Sequence, residues 1–207
     1  MLPYRNFIII VSSPSGVGKT SIIDEIRKRD GKIDFSVSAT TRKPRANEVN
    51  GKNYHFLDSG TFLRRVENDE FIEHAVVFGN YYGTLRNEVT KRFEEGHDVI
   101  MDVDWQGNRQ IAAKLDSSEL LKIFLLPPDM KTMEGRIRKR NLDDKATIDR
   151  RIAEARNEIA HIEEYDYVVI NDDFEKSVGE VSALITAKRI GNVFQEELRR
   201  FVASLQD

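Results

Sequence analysis

Within the stretch VSSPSGVGKT, residues 11–20, two side chains offer chemistry that a plain turn does not need. Lys19 is a cation closing a glycine-rich run, and Thr20 beside it offers a hydroxyl oxygen. With Gly16 and Gly18 they match the phosphate-binding pattern G-x-x-x-x-G-K-[ST], except that Ser13 stands where the first glycine is expected. The glycines let the backbone wrap so that successive N–H groups face an anion. Lys19 would meet the terminal phosphates, Thr20 can ligate Mg²⁺, and a following helix adds the positive end of its dipole. Pro14 fixes its own φ near −65°, and position 13 mainly sets the exit from the preceding strand. The run Ser13, Pro14, Ser15, Gly16, Val17, Gly18, Lys19 and Thr20 is therefore expected to cradle a nucleotide's phosphates.

A second set of candidates is acidic. The segment VIMDVD ends an apolar run in Asp102 and Asp104. A carboxylate at such a strand end helps to hold Mg²⁺ in phosphate-loop enzymes. Strand alternation would put both on one face, at the edge of the sheet where open α/β folds bind ligands. The competing reading is a pair of solvated turn residues. The phosphate loop tips the balance toward function, with Asp102 assigned to Mg²⁺ through water and Asp104 to the acceptor side. The third set is basic and aromatic. TTRKPR places Arg42, Lys43 and Arg45 together, with Ser38, Tyr54, Glu73, Tyr82 and Thr84 in the same region. Arginine pairs suit bidentate phosphate recognition, whereas an exposed basic loop is the bland alternative. Further on, Arg136 and Arg140 lie at helical spacing, followed by Arg151; they read either as solvated charge or as cations of a mobile lid. The four histidines show no metal-ligand spacing and read as surface or packing residues.

These groups need elements to position them. The run Phe7–Val11 reads as a buried parallel strand and Ser21–Lys28, with Ile22, Ile23 and Ile26, as a helix. Further buried strands are expected at His97–Val103, Leu121–Leu126 and Tyr167–Ile170. Their alternation with helical sequence predicts an α/β fold with a parallel sheet covered by helices. Two stretches break the alternation: a partly antiparallel β insert over 36–88, and a charged helical insert over 130–165 with Ile148, Ile152, Ala155, Ile159 and Ile162 on one face. The core is then 1–35, 89–129 and 166–207 of a single domain. Hydrophobic residues at 40% suffice for a core, and a net charge of −3 gives no global basic field for nucleic acid or anionic membrane. Cysteine is absent, which excludes thiol chemistry and fits a reducing compartment. No signal-peptide core or membrane span is present, so cytoplasm is the expected location.

Taken together, SPSGVGKT, SVSATTRKPRANEVNGKNYHF, EFIEHAVVFGNYYGT, DVDWQG, FLLPP and YDYVVINDDF resemble the guanylate kinase family, nearly end to end and in the family's order. The resemblance implies a phosphate-loop nucleoside monophosphate kinase. Its core would hold ATP with Mg²⁺, its inserted lobe GMP, and its lid would close over both. ATP and GMP are the implied partners, dGMP is left open, and no protein partner, nucleic acid or membrane is called for. Position by position, the resemblance implies Arg42, Arg45, Tyr54 and Tyr82 at the GMP phosphate and Ser38, Glu73 and Thr84 at guanine. Arg136, Arg140 and Arg151 would approach the transferring phosphate, and Asn171 the adenine. Two departures stand out: Ser13, and the segment RKRN at 138–141 where the family commonly carries Gly-Arg-Gly. An enzyme with another acceptor, and a non-catalytic binding module, are the alternatives to test.

Overall fold

The apolar run near the N-terminus becomes the central strand of the larger sheet. A computed structural model describes residues 3–45, 47–77, 79–139 and 145–206. In chain order the elements are β1 (Ile8–Ser12), α1 (Lys19–Arg29), β2 (Ile33–Phe35), β3 (Ala39–Thr40), β4 (His55–Phe56), α2 (Ser59–Glu67), β5 (Phe71–Val77), β6 (Asn80–Leu85) and α3 (Arg86–Glu94). They continue with β7 (Asp98–Asp102), α4 (Trp105–Ala112), β8 (Leu120–Leu126), α5 (Met130–Lys139), α6 (Lys145–Ile159), β9 (Tyr167–Ile170), α7 (Phe174–Gly191) and α8 (Gln195–Ala203). One sheet is wholly parallel, in the order β2-β7-β1-β8-β9. The other runs β4-β3-β6-β5 and is mixed, with β3 parallel to β4 and the remaining pairs antiparallel.

Strand β1 has no polar side because both of its faces are covered. Ile9 and Val11 pack with Ile22, Ile23 and Ile26 of α1 and Val178, Val181 and Ile185 of α7. Ile8 and Ile10 pack on the opposite face with Val89, Ile111 and Phe124. Each such side chain contributes roughly 1.5–3 kcal/mol by leaving water. Parallel pairing brings all the carboxyl ends to one edge, with Val11 beside Asp102, Ser12 beside Phe124 and Leu126 beside Ile170.

The structure departs from expectation at three places. Strand β2, unforeseen, pairs with β7 through only three residues. Strand β9 is not a buried strand: Tyr167, Val168 and Ile170 are 46%, 45% and 50% exposed and only Val169 is buried. It is the edge of the sheet, covered by α7 on one side only, so apolarity there did not report burial. Asp102 and Asp104 do not share a strand, because β7 stops at Asp102 and Asp104 begins α4.

The smaller sheet has its own apolar centre of Ala39, Phe62, Phe71 and Leu85, in which the Phe62 ring stacks on Phe71 at 4.4 Å. Helices α5 and α6 pack on each other through Met133, Ile137 and Ala155, with Met130 and Ile152 alongside. The end of α6 behaves differently, since Ile159 and, just beyond it, Ile162 pack on the parallel sheet. Arg140 and the side chain of Ile148 lie outside the described residues.

Candidate active site

Between β1 and α1 the backbone makes two left-handed turns, at Gly16 (φ 88°) and Gly18 (φ 102°). A side chain would also crowd its neighbours at both. A Cβ on Gly16 would stand 2.9 Å from Ile137 Cγ1, and one on Gly18 3.0 Å from Asn171 Nδ2. These turns leave the Val17 carbonyl in need of donors, and two arrive from distant elements. Asn171 donates from Nδ2 at 2.7 Å and Arg136 from Nη1 at 3.2 Å. Both residues thus brace the loop from behind. Ser13 is buried and its hydroxyl donates to the Pro14 carbonyl at 3.1 Å. Ser12 donates to the Val103 carbonyl at 2.7 Å, tying the loop's entry to the segment after β7.

Lys19 leads α1 and its ammonium forms an ion pair with Asp102. Burial alone would depress the Lys19 pKa, but Asp102 and then Glu158 outweigh it, and the net shift is upward. Asp104 caps α4, its Oδ1 accepting from the Gly107 N–H at 2.9 Å and its Oδ2 from Gln106 at 3.0 Å. Glu158, on the last turn of α6, was not foreseen. Its carboxyl is pushed up to about 7 by burial, Lys19 pulling it down and Asp104 and Asp102 pushing it further up. Among the described residues its buried Oε2 has no hydrogen-bond partner.

One cavity of about 720 Å³ joins these groups to the inserted lobe, its lining including Lys19, Thr20, Ser38, Tyr54, Glu73, Tyr82, Asp102, Asp104 and Glu158. Glu73 lies on β5 and is 5% exposed. Burial raises its pKa to about 7; the neighbouring Thr84 opposes this and Asp104 adds to it, while among the described residues the buried Thr84 hydroxyl has no hydrogen-bond partner. Arg42 stands behind the wall, with its guanidinium 5.3 Å from the Tyr54 ring centre. Its fork is taken by Glu48, Nη2 to Oε1 at 2.8 Å and Nη1 to Oε2 at 3.0 Å, and Glu48 also accepts from the Arg45 N–H at 2.7 Å. The Arg45 side chain is exposed and outside the lining. Arg151, on α6, is likewise outside it. Glu158 could not be found from spacing, since it reaches Lys19 only through tertiary folding; Glu48 is a local partner, six residues from Arg42, and that opposite charge in the same loop was its signal.

The oxygen donors Thr20 and Asp102, at the phosphate loop and the carboxyl end of β7, are the hard-ligand set that suits Mg²⁺. Of the histidines, His97 Nδ1 lies 2.7 Å from Asp34 Oδ2 and near Glu95, a cluster in which Arg92 pairs with both carboxylates.

The model of the guanylate kinase family matches residues 5–188 of this chain. The chain belongs to the guanylate kinase family. Curated relatives agree. It is 46% identical over 187 residues to the guanylate kinase of Chromohalobacter salexigens, covering 90% of this chain and 86% of that one. It is 44% identical over 202 residues to that of Paramagnetospirillum magneticum, covering 98% and 94%. The crystal structure of guanylate kinase from Anaplasma phagocytophilum superposes with a TM-score of 0.79 at 33% identity, over 99% of this chain and 97% of that one. Family membership makes the protein an enzyme, a nucleotide kinase, and the α/β fold with its two sheets accords with it. Among the described residues, no helix is long and apolar enough to cross a membrane.

Proposed function

We propose that this guanylate kinase family member transfers the γ-phosphoryl group of ATP to GMP, giving ADP and GDP, as a step of purine nucleotide metabolism. One observation carries the reading: a carboxylate, Glu73, is buried in the wall of the same cavity that holds Lys19 and Thr20. Guanine presents N1–H and N2–H₂ donors beside the O6 acceptor. An ionised Glu73 accepts from both donors, and the hydroxyl of Ser38 or Thr84 donates to O6. Adenine turns the wrong edge to Glu73, and a buried carboxylate left unpaired costs about 1–3 kcal/mol or more.

In this reading the core takes ATP, the 36–88 lobe takes GMP, and the 130–165 segment is the lid. The loop N–H groups, Lys19 and the N-terminus of α1 hold the donor phosphates. Arg42, Arg45, Tyr54 and Tyr82 hold the acceptor phosphate. Arg42 then exchanges Glu48 for that phosphate. Arg136, Arg140 and Arg151 serve the transferring group, and Asn171 supports the loop beside the adenine end. Thr20 and, through water, Asp102 would hold Mg²⁺, whose role is to neutralise charge on the β- and γ-phosphates. An oxygen of the GMP phosphate attacks the γ-phosphorus, and the bond to the bridging oxygen of ADP breaks. That phosphate has a second pKa of about 6 and is already ionised near neutrality, so no dedicated base is required. Positioning and charge neutralisation supply the rate.

A panel of GMP, dGMP, AMP, CMP and UMP as acceptors tests the reading. GMP is expected to exceed AMP by at least about a hundredfold in kcat/KM. Comparable use of AMP would overturn the assignment of Glu73. A chain that binds nucleotide without turning over any acceptor would be the binding module instead.

A further inference from the structure

Strand β5 carries Glu73, yet its own ladder does not fix where that residue stands. Phe71 pairs with Leu85 and Glu73 with Thr84, so two steps along β5 match one along β6. Ile72 is the extra residue of a bulge, and the register slips immediately before the carboxylate. Bulges re-aim side chains and loosen the ladder locally. Among the described residues, strand β5 is also the last of its sheet, with no strand on its outer side.

Helix α4 takes the place of that missing strand. The Gln110 side-chain amide pairs with the backbone of His74 as another peptide unit would. Its Oε1 accepts from the His74 N–H at 3.0 Å and its Nε2 donates to the His74 carbonyl at 2.7 Å. Lys114, one turn on, donates to the Ile72 carbonyl at 2.8 Å. The backbone is therefore held on both sides of Glu73. One turn before Gln110, at Gly107, a Cβ would stand 3.0 Å from Glu73 Oε2 and 3.0 Å from Val103 Cβ. Gly107 is not among the positive-φ glycines, so close approach rather than backbone conformation calls for glycine there. The same helix is capped by Asp104, which lines the cavity. Through α4 the bulged strand is referred to the parallel sheet.

We propose that Gln110 is a specificity-determining positioning residue, which by pairing with the His74 backbone sets where the bulged strand places Glu73 and so sets the preference for guanine. This rests on the GMP reading. Guanine offers Glu73 two donors whereas hypoxanthine, which lacks the 2-amino group, offers one. Hydrogen bonds weaken steeply with misalignment, so a displaced carboxylate costs the guanine substrate more.

The test compares kcat/KM for GMP and IMP, with KM for ATP, in the wild type, Gln110→Met and Gly107→Ala. Methionine keeps the length of glutamine and removes both bonds; alanine at 107 pushes on the carboxylate from the same helix. For both variants, kcat/KM with GMP is expected to fall about tenfold and with IMP no more than about threefold, with KM for ATP unchanged. An equal fall with both acceptors would reduce Gln110 to a fold-holding residue, and an unchanged GMP value would overturn the inference. If Gln110→Met does not fold, Gln110→Glu, which keeps the acceptor for the His74 N–H and loses the donor to its carbonyl, reads the same ratio. Wild-type enzyme that ignores GMP would refute the underlying reading instead, which the first column of the same experiment reveals.

Discussion

Asp98 and Asp102 stand at opposite ends of β7, and their surroundings differ in kind. Asp98 is fully buried and surrounded by donors: Arg189 Nε at 2.7 Å, Tyr4 hydroxyl at 3.1 Å, the Phe7 N–H at 3.3 Å and Asn6 Nδ2 at 3.4 Å. Arg189 also reaches Asp30 at 2.5 Å. Burial, then Asp98, pushes the Tyr4 hydroxyl up to about 12, so it stays a donor. At the other end, Asp102 has Lys19, while Asp104, Glu158 and Glu73 line the same cavity. Two of those carboxyls have pKa values raised to about 7. One end of the strand pairs its charges internally, with Arg189 Nη2 alone there buried without a hydrogen-bond partner among the described residues; the other holds groups whose partners, on the proposed reading, are substrates and a cation. Sites that bind charged ligands keep such strain while structural networks resolve it.

The largest test of the contrast is a pair of substitutions. Lys19→Ala is expected to lower kcat by on the order of 10³-fold with little change in urea unfolding. Arg189→Met at the other end should do the reverse. It strands Asp98 and costs about 3–5 kcal/mol of unfolding free energy, while KM for both nucleotides stays put. Crossed effects would dissolve the distinction.

Glu73 sharpens it through pH. The unfolded carboxyl loses its proton near its ordinary value of 4.5 and the folded one near 7. Between those values the unfolded state holds fewer protons, so stability falls as pH rises from 4.5 to 7 and is level above. Glu73→Gln removes its share of this slope, leaving that of Glu158, and at pH 8 should be more stable than the wild type by about 3 kcal/mol. Urea unfolding at pH 5 and pH 8 reads it. GMP needs the ionised carboxylate, so KM for GMP in the wild type should rise as pH falls below about 7. The smallest effect is expected at Ser13, whose hydroxyl donates to the adjacent Pro14 carbonyl. Ser13→Gly should change KM for ATP by less than about threefold and kcat less, as steady-state kinetics would show.

Much of the larger sheet was legible because covered parallel strands are continuous apolar runs, as in Ile8–Val11 and Ile123–Leu126. Strand β9 looked alike in sequence and is exposed, since a run of Tyr and Val does not say whether a strand is central or last. The phosphate loop was legible because its backbone demands glycine at fixed spacing. Glu158 and Gln110 were not, as each acts on a residue brought near by folding: Glu158 toward Lys19, Gln110 toward His74. Asn171 and Arg136 were picked out for nucleotide contact and stand here against the Val17 carbonyl. A residue pattern marks a position without saying which atom the side chain will meet.

The donors around Asp98 also order events in time. Tyr4, Asn6 and Phe7 leave a ribosome before Asp98, which lies 91 residues after Phe7, and Arg189 follows another 91 residues later. The central strand β1 must likewise wait for β7 and β8, neither of them a neighbour in sequence. Closing such distant pairs is slow, because the chain gives up its freedom before contacts reward it. The nascent protein can form its helices early, but its core closes only when the arginine of α7 has been delivered.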